Sequence, residues 1–140
     1  MSSRRPDVVA ADANVLLAAL ARKAAARILT MPELLVITTE RNRIEVEAHL
    51  PEFATRYGLA LPALYEAMAA LPVEVYAETE YATHLPEAKR LLDQEDSGDV
   101  HLLALALALD VPIWSNDNDF THALPIEVFR TAALIRLLGV

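Results

Sequence analysis

Short, almost unbroken apolar runs alternate along this chain with longer stretches whose apolar residues recur every three or four positions. Residues 7–11 (ending Val8-Val9-Ala10-Ala11), 34–37 (Leu-Leu-Val-Ile), 73–76 and 111–114 (Val-Pro-Ile-Trp) have the length and continuity of strands buried on both faces, as in the middle of a parallel sheet. Leu16, Leu17, Leu20, Ala24 and Ile28 keep helical spacing and predict one helix over 14–29, broken by Pro32. Val46, Leu50, Phe53 and Tyr57 mark the apolar stripe of a helix over 40–57. Thr38 and Thr39 are its N-cap candidates, Glu40 adds negative charge to its first turn, and Gly58 closes it. Pro51 should kink it or start a fresh segment.

Further helices are predicted over 62–71, over 79–93 with an interruption at Pro86, and over 132–138. The strongest opens at Asp96-Ser97-Gly98-Asp99 and runs to about Leu109. Residues 115–120 read as a loop and 126–129 as a weak strand. Strands alternating with helices imply a three-layer α/β fold around a mainly parallel sheet, and neither a linker nor an internal repeat divides residues 1–140 into more than one domain.

Acidic residues sit where the apolar runs stop. Asp12 follows the first strand, Glu45 lies on the helix after the second, Asp99 opens the long apolar helix, and Asp117 follows the run ending at Trp114. In a parallel sheet the C-terminal strand ends share one edge, so these carboxylates are expected to converge there. Such a cluster repels itself unless a hard divalent cation neutralises it. A metal-dependent phosphate-transfer site is the leading expectation.

Each position also has a plainer role. Asp12 is placed to N-cap the next helix, unless Asn14 caps it and frees Asp12 to face the crevice. Glu45 shares its helix with Glu40, Glu47 and Glu52; its place beside the inward-facing Val46 favours it, with Glu47 as the main rival. Asp96 and Asp99 have the spacing of an N-cap residue and the third residue of the helix it caps. Ser115-Asn116-Asp117-Asn118-Asp119-Phe120 has the composition of a turn and lacks the glycine and distal glutamate of an EF-hand. His49, His84, His101 and His122 show no ligand spacing and read as surface or partly buried residues, while Trp114 and Phe120 read as core.

The net charge of −8 argues against loose nucleic-acid binding. The charge is uneven, however. Residues 1–57 hold eight basic against seven acidic residues, and residues 58–140 hold four against thirteen. A basic rim beside an acidic centre is therefore compatible with the sequence, with Arg41 and Arg43 the first candidates for a phosphate backbone and Arg22, Lys23 and Arg27 the alternatives. The lack of cysteine excludes disulfides and thiolate chemistry. No segment has the roughly 20 apolar residues that span a bilayer, and no apolar leader follows the charged start, so a cytoplasmic protein without a membrane partner is expected.

Together these segments resemble the PIN-domain family, whose best-known members are the VapC-type toxins. The resemblance covers essentially the whole chain. It rests on Val8-Val9-Ala10-Ala11-Asp12-Ala13-Asn14-Val15-Leu16-Leu17 and, more specifically, on Asp96-Ser97-Gly98-Asp99, the Ala-Leu helix, and Asp110 through Phe120 with Ser115 in the hydroxyl position. It implies a three-layer α/β/α PIN-like fold and a metal-dependent ribonuclease using Mg²⁺ or Mn²⁺. Asp12, Asp99 and Asp117 then take the places of metal ligands, and Glu45 the helical acidic place. Asn14, Asp96, Ser115 and Asp119 become supporting residues. The implied partners are an RNA substrate, an antitoxin if the protein is a toxin, and a second copy in a homodimer.

Two other readings fit parts of the sequence. A haloacid-dehalogenase-like phosphatase would use Asp12 as nucleophile, with Thr38, Lys89 and Asp117 or Asp119, although it usually has Asp where Asn14 stands. A non-catalytic PIN-fold binding module would not require the acidic places to be filled, and all four are.

Overall fold

The computed structural model describes residues 5–120 and 124–140. Five strands, β1 (Val8–Ala11), β2 (Leu35–Thr39), β3 (Val73–Tyr76), β4 (Ile113–Trp114) and β5 (Val128–Phe129), form a sheet of order β3-β2-β1-β4-β5. Every pair in it is parallel, with Ala10 opposite both Ile37 and Ile113. The helices are α1 (Ala13–Leu20), α2 (Ala24–Leu29), α3 (Glu40–Tyr57), α4 (Leu61–Ala70), α5 (Leu85–Leu92), α6 (Gly98–Leu109) and α7 (Thr131–Leu138).

The pleat sends alternate side chains to opposite faces. Val9, Ala11, Val36 and Trp114 pack with residues of α1, α2, α3, α4 and α7. Ala10, Ile37 and Ile113 pack with α5 and α6. Both faces of the sheet are thus covered, which explains why the strands read as continuous apolar runs rather than alternating ones. α6 is apolar all round and buries every residue from Val100 to Ala106, as a helix enclosed by neighbours does.

Several boundaries differ from the sequence expectation. The helix expected over 14–29 is two helices, parted where Arg22 takes a left-handed φ of 58°. The break lets α2 turn back onto α1 and bury Ile28 and Leu29. A left-handed residue with a Cβ is strained, so Arg22→Gly is expected to stabilise the fold by about 1 kcal/mol, read as a higher urea midpoint at unchanged slope. α3 runs through Pro51 without a restart, its stripe of Val46, Leu50 and Ala54 buried on both sides of the proline. Packing outweighs the one backbone hydrogen bond that proline removes. The segment expected to be helical over 79–93 forms two 3₁₀ turns, Glu78–Glu80 and Ala82–His84, before α5 starts with Pro86 in its first turn. Gly58 caps α3 at φ 62°, and Thr39 accepts a hydrogen bond from the Asn42 amide at 3.0 Å.

Candidate active site

The chain passes from β1 to β2 and β3 on one side, then returns to β4 on the other side of β1. That reversal opens a crevice at the carboxyl ends of β1 and β4. Asp12 leaves β1 there and Ser115 leaves β4 beside it, the Asp12 amide donating to the Trp114 carbonyl at 3.1 Å.

Asp12 is 3% exposed and both of its carboxylate oxygens are engaged. Oδ1 accepts from the Val15 amide at 2.9 Å, so Asp12 itself caps α1; Asn14 does not take that role. Oδ2 accepts from the Ser115 hydroxyl. Burial raises the Asp12 pKa to about 6. The Ser115 and Val15 hydrogen bonds oppose the rise, and Asp117 and Glu45 add repulsion. Capping and facing the crevice are compatible, because one oxygen serves each purpose.

Asp99 lies one residue into α6. The N-cap is Ser97, which accepts from the Val100 amide at 3.2 Å, and not Asp96 as the spacing suggested. Burial, then the Asp119 carboxylate close enough to share a proton, then Asp117 and Asp12, raise the Asp99 pKa to about 8.

Asp117 accepts from the Asn14 side-chain amide at 3.4 Å through one oxygen and from the Asp119 backbone amide at 3.1 Å through the other. Its own amide donates to the Ser115 hydroxyl at 3.0 Å. The loop carrying it is tied to the start of α7. Asn116 accepts from the Thr131 amide at 2.9 Å, and Arg130 donates to the Asn116 carbonyl at 3.0 Å and to Asn118 at 2.5 Å.

Glu45 is exposed on the second turn of α3 and leans over the first turn of α6. A Cβ added at Gly98 would run into its carboxylate, with Asn42 Nδ2 the next contact at 3.2 Å. Its rival Glu47 faces Arg43 instead, at 3.7 Å.

The structure therefore brings Asp12, Asp99, Asp117, Asp119 and Glu45 into one electrostatic neighbourhood, with Ser115 and Asn14 bonded to two of them. No ion pair with a Lys or Arg is formed by Asp12, Asp99 or Asp117 among the described residues. Nor, among the described residues, are three acidic or histidine side chains already closed on one point as a ligand set. These carboxylates repel one another, and Asp12, Asp117 and Asp119 all push the Asp99 pKa up.

Asp96 is not among these interacting carboxylates. It binds Arg41 at 2.8 Å and His101 at 2.7 Å. Arg43 lies between Glu40 and Glu47 of its own helix. Trp114 and Phe120 are core residues. His101 is not at the surface: it is 3% exposed and bonded to Tyr81 at 2.7 Å. His49 is exposed, His84 half-buried, and His122 lies outside the described residues.

Sequence reasoning missed Asn42, Tyr81 and His101. Asn42 is buried, bonds Thr39 at 2.5 Å and donates to the Gly98 carbonyl at 3.3 Å, tying α3 to the start of α6. Its spacing of three from Thr39 was the one local signal. The Tyr81–His101 pair carries none, because its members are 20 residues apart.

The phosphatase reading fails on geometry. The Thr38 hydroxyl is buried and donates to the Ala11 carbonyl at 2.8 Å, and Lys89 lines a separate cavity with Arg90, Asp93, Gln94 and Glu95. No helix among the described residues is long and apolar enough to cross a membrane.

Comparison with known proteins agrees with the geometry. The profile of the PIN domain matches residues 9–135. No curated protein matches the sequence significantly. Among solved structures, VapBC2 from Rickettsia felis bound to a DNA fragment from its promoter aligns with a TM-score of 0.69 at 9% identity, covering 88% of this chain and 98% of that one. A toxin–antitoxin complex from Klebsiella pneumoniae gives 0.65 at 15%, covering 88% and 97%. VapC20 of Mycobacterium tuberculosis, described as a toxin that cleaves the sarcin-ricin loop, gives 0.56 at 20%, covering 81% and 92%. At these identities the likeness is one of fold.

Proposed function

This chain belongs to the PIN-domain family, and on that footing we propose that it is a metal-dependent endoribonuclease, the toxin of a toxin–antitoxin pair. One observation carries the reading. Asp12, Asp99, Asp117 and Glu45 come from four separate segments and raise one another's charge cost near the switch point of the sheet, none of the three aspartates pairs with a Lys or Arg among the described residues, and burial and repulsion hold Asp12 and Asp99 well above the usual carboxylate range. An all-oxygen set of this kind suits Mg²⁺ or Mn²⁺, which prefers carboxylates and retains waters.

Asp12, Asp99 and Asp117 would hold the ion. Bound there, it supplies the positive charge that makes water acidic near neutral pH and offsets the charge of a five-coordinate phosphorus. Ser115 fixes one oxygen of Asp12, and Asn14 fixes Asp117. Glu45, on the open side, accepts the proton of the attacking water or contributes to a second ion. Asp119 shares a proton with Asp99 when the ion is absent and is a reserve ligand when it is present.

The relative described as cutting the sarcin-ricin loop favours RNA as the substrate. The two toxin–antitoxin complexes favour an antitoxin as partner, which the neighbouring gene would encode. Exposed Tyr57, Leu59 and Tyr65 provide apolar surface for that partner or for a second copy.

The test is a cleavage assay on matched single-stranded RNA and DNA with Mn²⁺, Mg²⁺ and EDTA. Cleavage of RNA that EDTA abolishes is expected; equal cutting in EDTA would remove the metal from the reading. Gly98→Ala gives a sharper check on Glu45. The nearest group its methyl meets is the far end of the flexible Glu45 side chain and the next is Asn42 Nδ2 at 3.2 Å, which has to give by only a few tenths of an ångström, so the stability loss should stay within about 1 kcal/mol. The displaced Glu45 carboxylate should nevertheless cost about a hundredfold in kcat, the lower end of what a positioned acid or base contributes. An unchanged kcat would remove Glu45 from the site.

A further inference from the structure

Two arginines were candidates for the nucleic-acid backbone, and their surroundings differ. Arg43 is spread between Glu40 and Glu47 at 3.9 and 3.7 Å, both on its own helix. Arg41 reaches across to Asp96, 55 residues away, at 2.8 Å. Asp96 is itself held from behind: its second oxygen meets His101 Nε2 at 2.7 Å, and His101 Nδ1 meets the Tyr81 hydroxyl at 2.7 Å.

A carboxylate only accepts, so His101 Nε2 carries the hydrogen that Asp96 receives. In the neutral imidazole Nδ1 then accepts from the Tyr81 hydroxyl, with the Glu78 carboxylate at 3.7 Å on the same side. Tyr81 and His101 are 1% and 3% exposed, so this end of the chain is enclosed in protein. The other end is open. The Arg41 side chain keeps 39% of its exposure and lines a cavity of about 410 Å³ with Ile44, Glu45, Asp96, Ser97 and Gly98. Its lining thus includes the proposed Glu45 and reaches Gly98, the residue before Asp99 in sequence.

We infer that Arg41 is a fixed contact for a phosphate of the RNA backbone flanking the cleaved bond, and that Asp96, His101 and Tyr81 are positioning residues that aim it. This deepens the nuclease reading and rests on it. A guanidinium has five N–H donors, and Asp96 takes one at Nη1, which leaves donors for a phosphate. Holding the side chain in place beforehand removes the rotamer entropy that a free surface arginine loses on binding. Arg41 also supplies positive charge next to an acidic pocket that would otherwise repel the backbone. An arginine anchored by a buried histidine–tyrosine pair has no such need if its role is only surface solubility.

The experiment measures kcat and KM on a fluorogenic single-stranded oligoribonucleotide with Mn²⁺, and Mn²⁺ affinity by calorimetry. Arg41→Ala should raise KM about tenfold with kcat within about threefold, the signature of lost uniform binding. The salt slope of log(1/KM) should fall by about 0.7, one single-strand phosphate contact. Arg43→Ala should change neither. His101→Leu should raise KM as Arg41→Ala does, and the double variant should be no worse than Arg41→Ala alone. His101→Gln, whose amide can accept from Tyr81 and donate to Asp96, should restore most of the loss. Mn²⁺ affinity should stay within about threefold of wild type throughout.

Unchanged KM in Arg41→Ala overturns the inference, and that variant tests it even if His101→Leu does not fold. A large loss of Mn²⁺ affinity in folded His101→Leu also overturns it, because the buried pair would then be holding Asp99. A wild-type protein that cuts no RNA with any metal sinks the nuclease reading instead.

Discussion

Asp99→Asn is expected to lower metal-dependent cleavage by at least about a thousandfold and, in metal-free buffer at pH 8, to make the protein more stable than wild type. The first effect follows from removing one of three proposed ligands of an ion that carries the charge stabilisation of the reaction. The second follows from the physical state of the residue. Burial and the neighbouring Asp119, Asp117 and Asp12 raise its pKa to about 8, so ionised Asp99 is a burden on the empty site. Asn keeps the shape and removes the charge. With screening by the solvent that reaches this half-buried group, the gain is about 1 kcal/mol, or about 3 °C in Tm for a chain of this size. Loss of activity with gain of stability separates a functional carboxylate from a structural one, since a structural residue would lose both. Wild-type cleavage by Asp99→Asn, or a marked fall in its Tm, would sink the assignment.

Mn²⁺ is expected to raise Tm strongly at pH 8 and weakly at pH 5. The carboxyls of Asp12 and Asp99 titrate higher in the folded chain than the ordinary 3.8, at about 6 and about 8. Between the unfolded and folded values the folded state holds more protons, so their contribution to stability is undiminished below pH 3.8. It falls as pH rises, to about 6 for Asp12 and about 8 for Asp99. A cation that replaces those protons removes the penalty where it is largest. At a hundred times its dissociation constant the ion adds about 2.7 kcal/mol, close to 8 °C in Tm, at pH 8. At pH 5 protons compete for the same oxygens and the shift should be at most about a third of that. Differential scanning fluorimetry across this range, with Asp99→Asn as the comparison, reads both. A Mn²⁺ shift that is the same at both pH values, or undiminished in the variant, would show binding elsewhere.

The parts of this architecture legible from the sequence were those with local causes. Apolar runs of strand length, an aspartate after the first, a threonine cap at 39 and a glycine stop at 58 each leave their mark within a few residues, and all stand where expected. Sheet order puts Asp12 and Asp117 after the neighbouring strands β1 and β4, while Asp99 acts on both from the first turn of α6. What was illegible depended on distant partners. Nothing near Arg22 announces a left-handed residue; the break exists because α2 must fold back to cover α1. Asp96 looked like a cap because its spacing to Asp99 was right, but Ser97 lies closer to the helix start and Asp96 is drawn away by Arg41 and His101. Arg41 and Arg43 are alike in sequence and unlike in the fold, since only Arg41 has a partner beyond its own helix.

The tie between the 115–120 loop and the start of α7 has a consequence for biosynthesis. Asp12 leaves the ribosome well before β5, Arg130 and Thr131, which fasten the Asp117 loop. A nascent polypeptide that has not yet reached Thr131 therefore lacks the bonds that hold that loop beside Asp12.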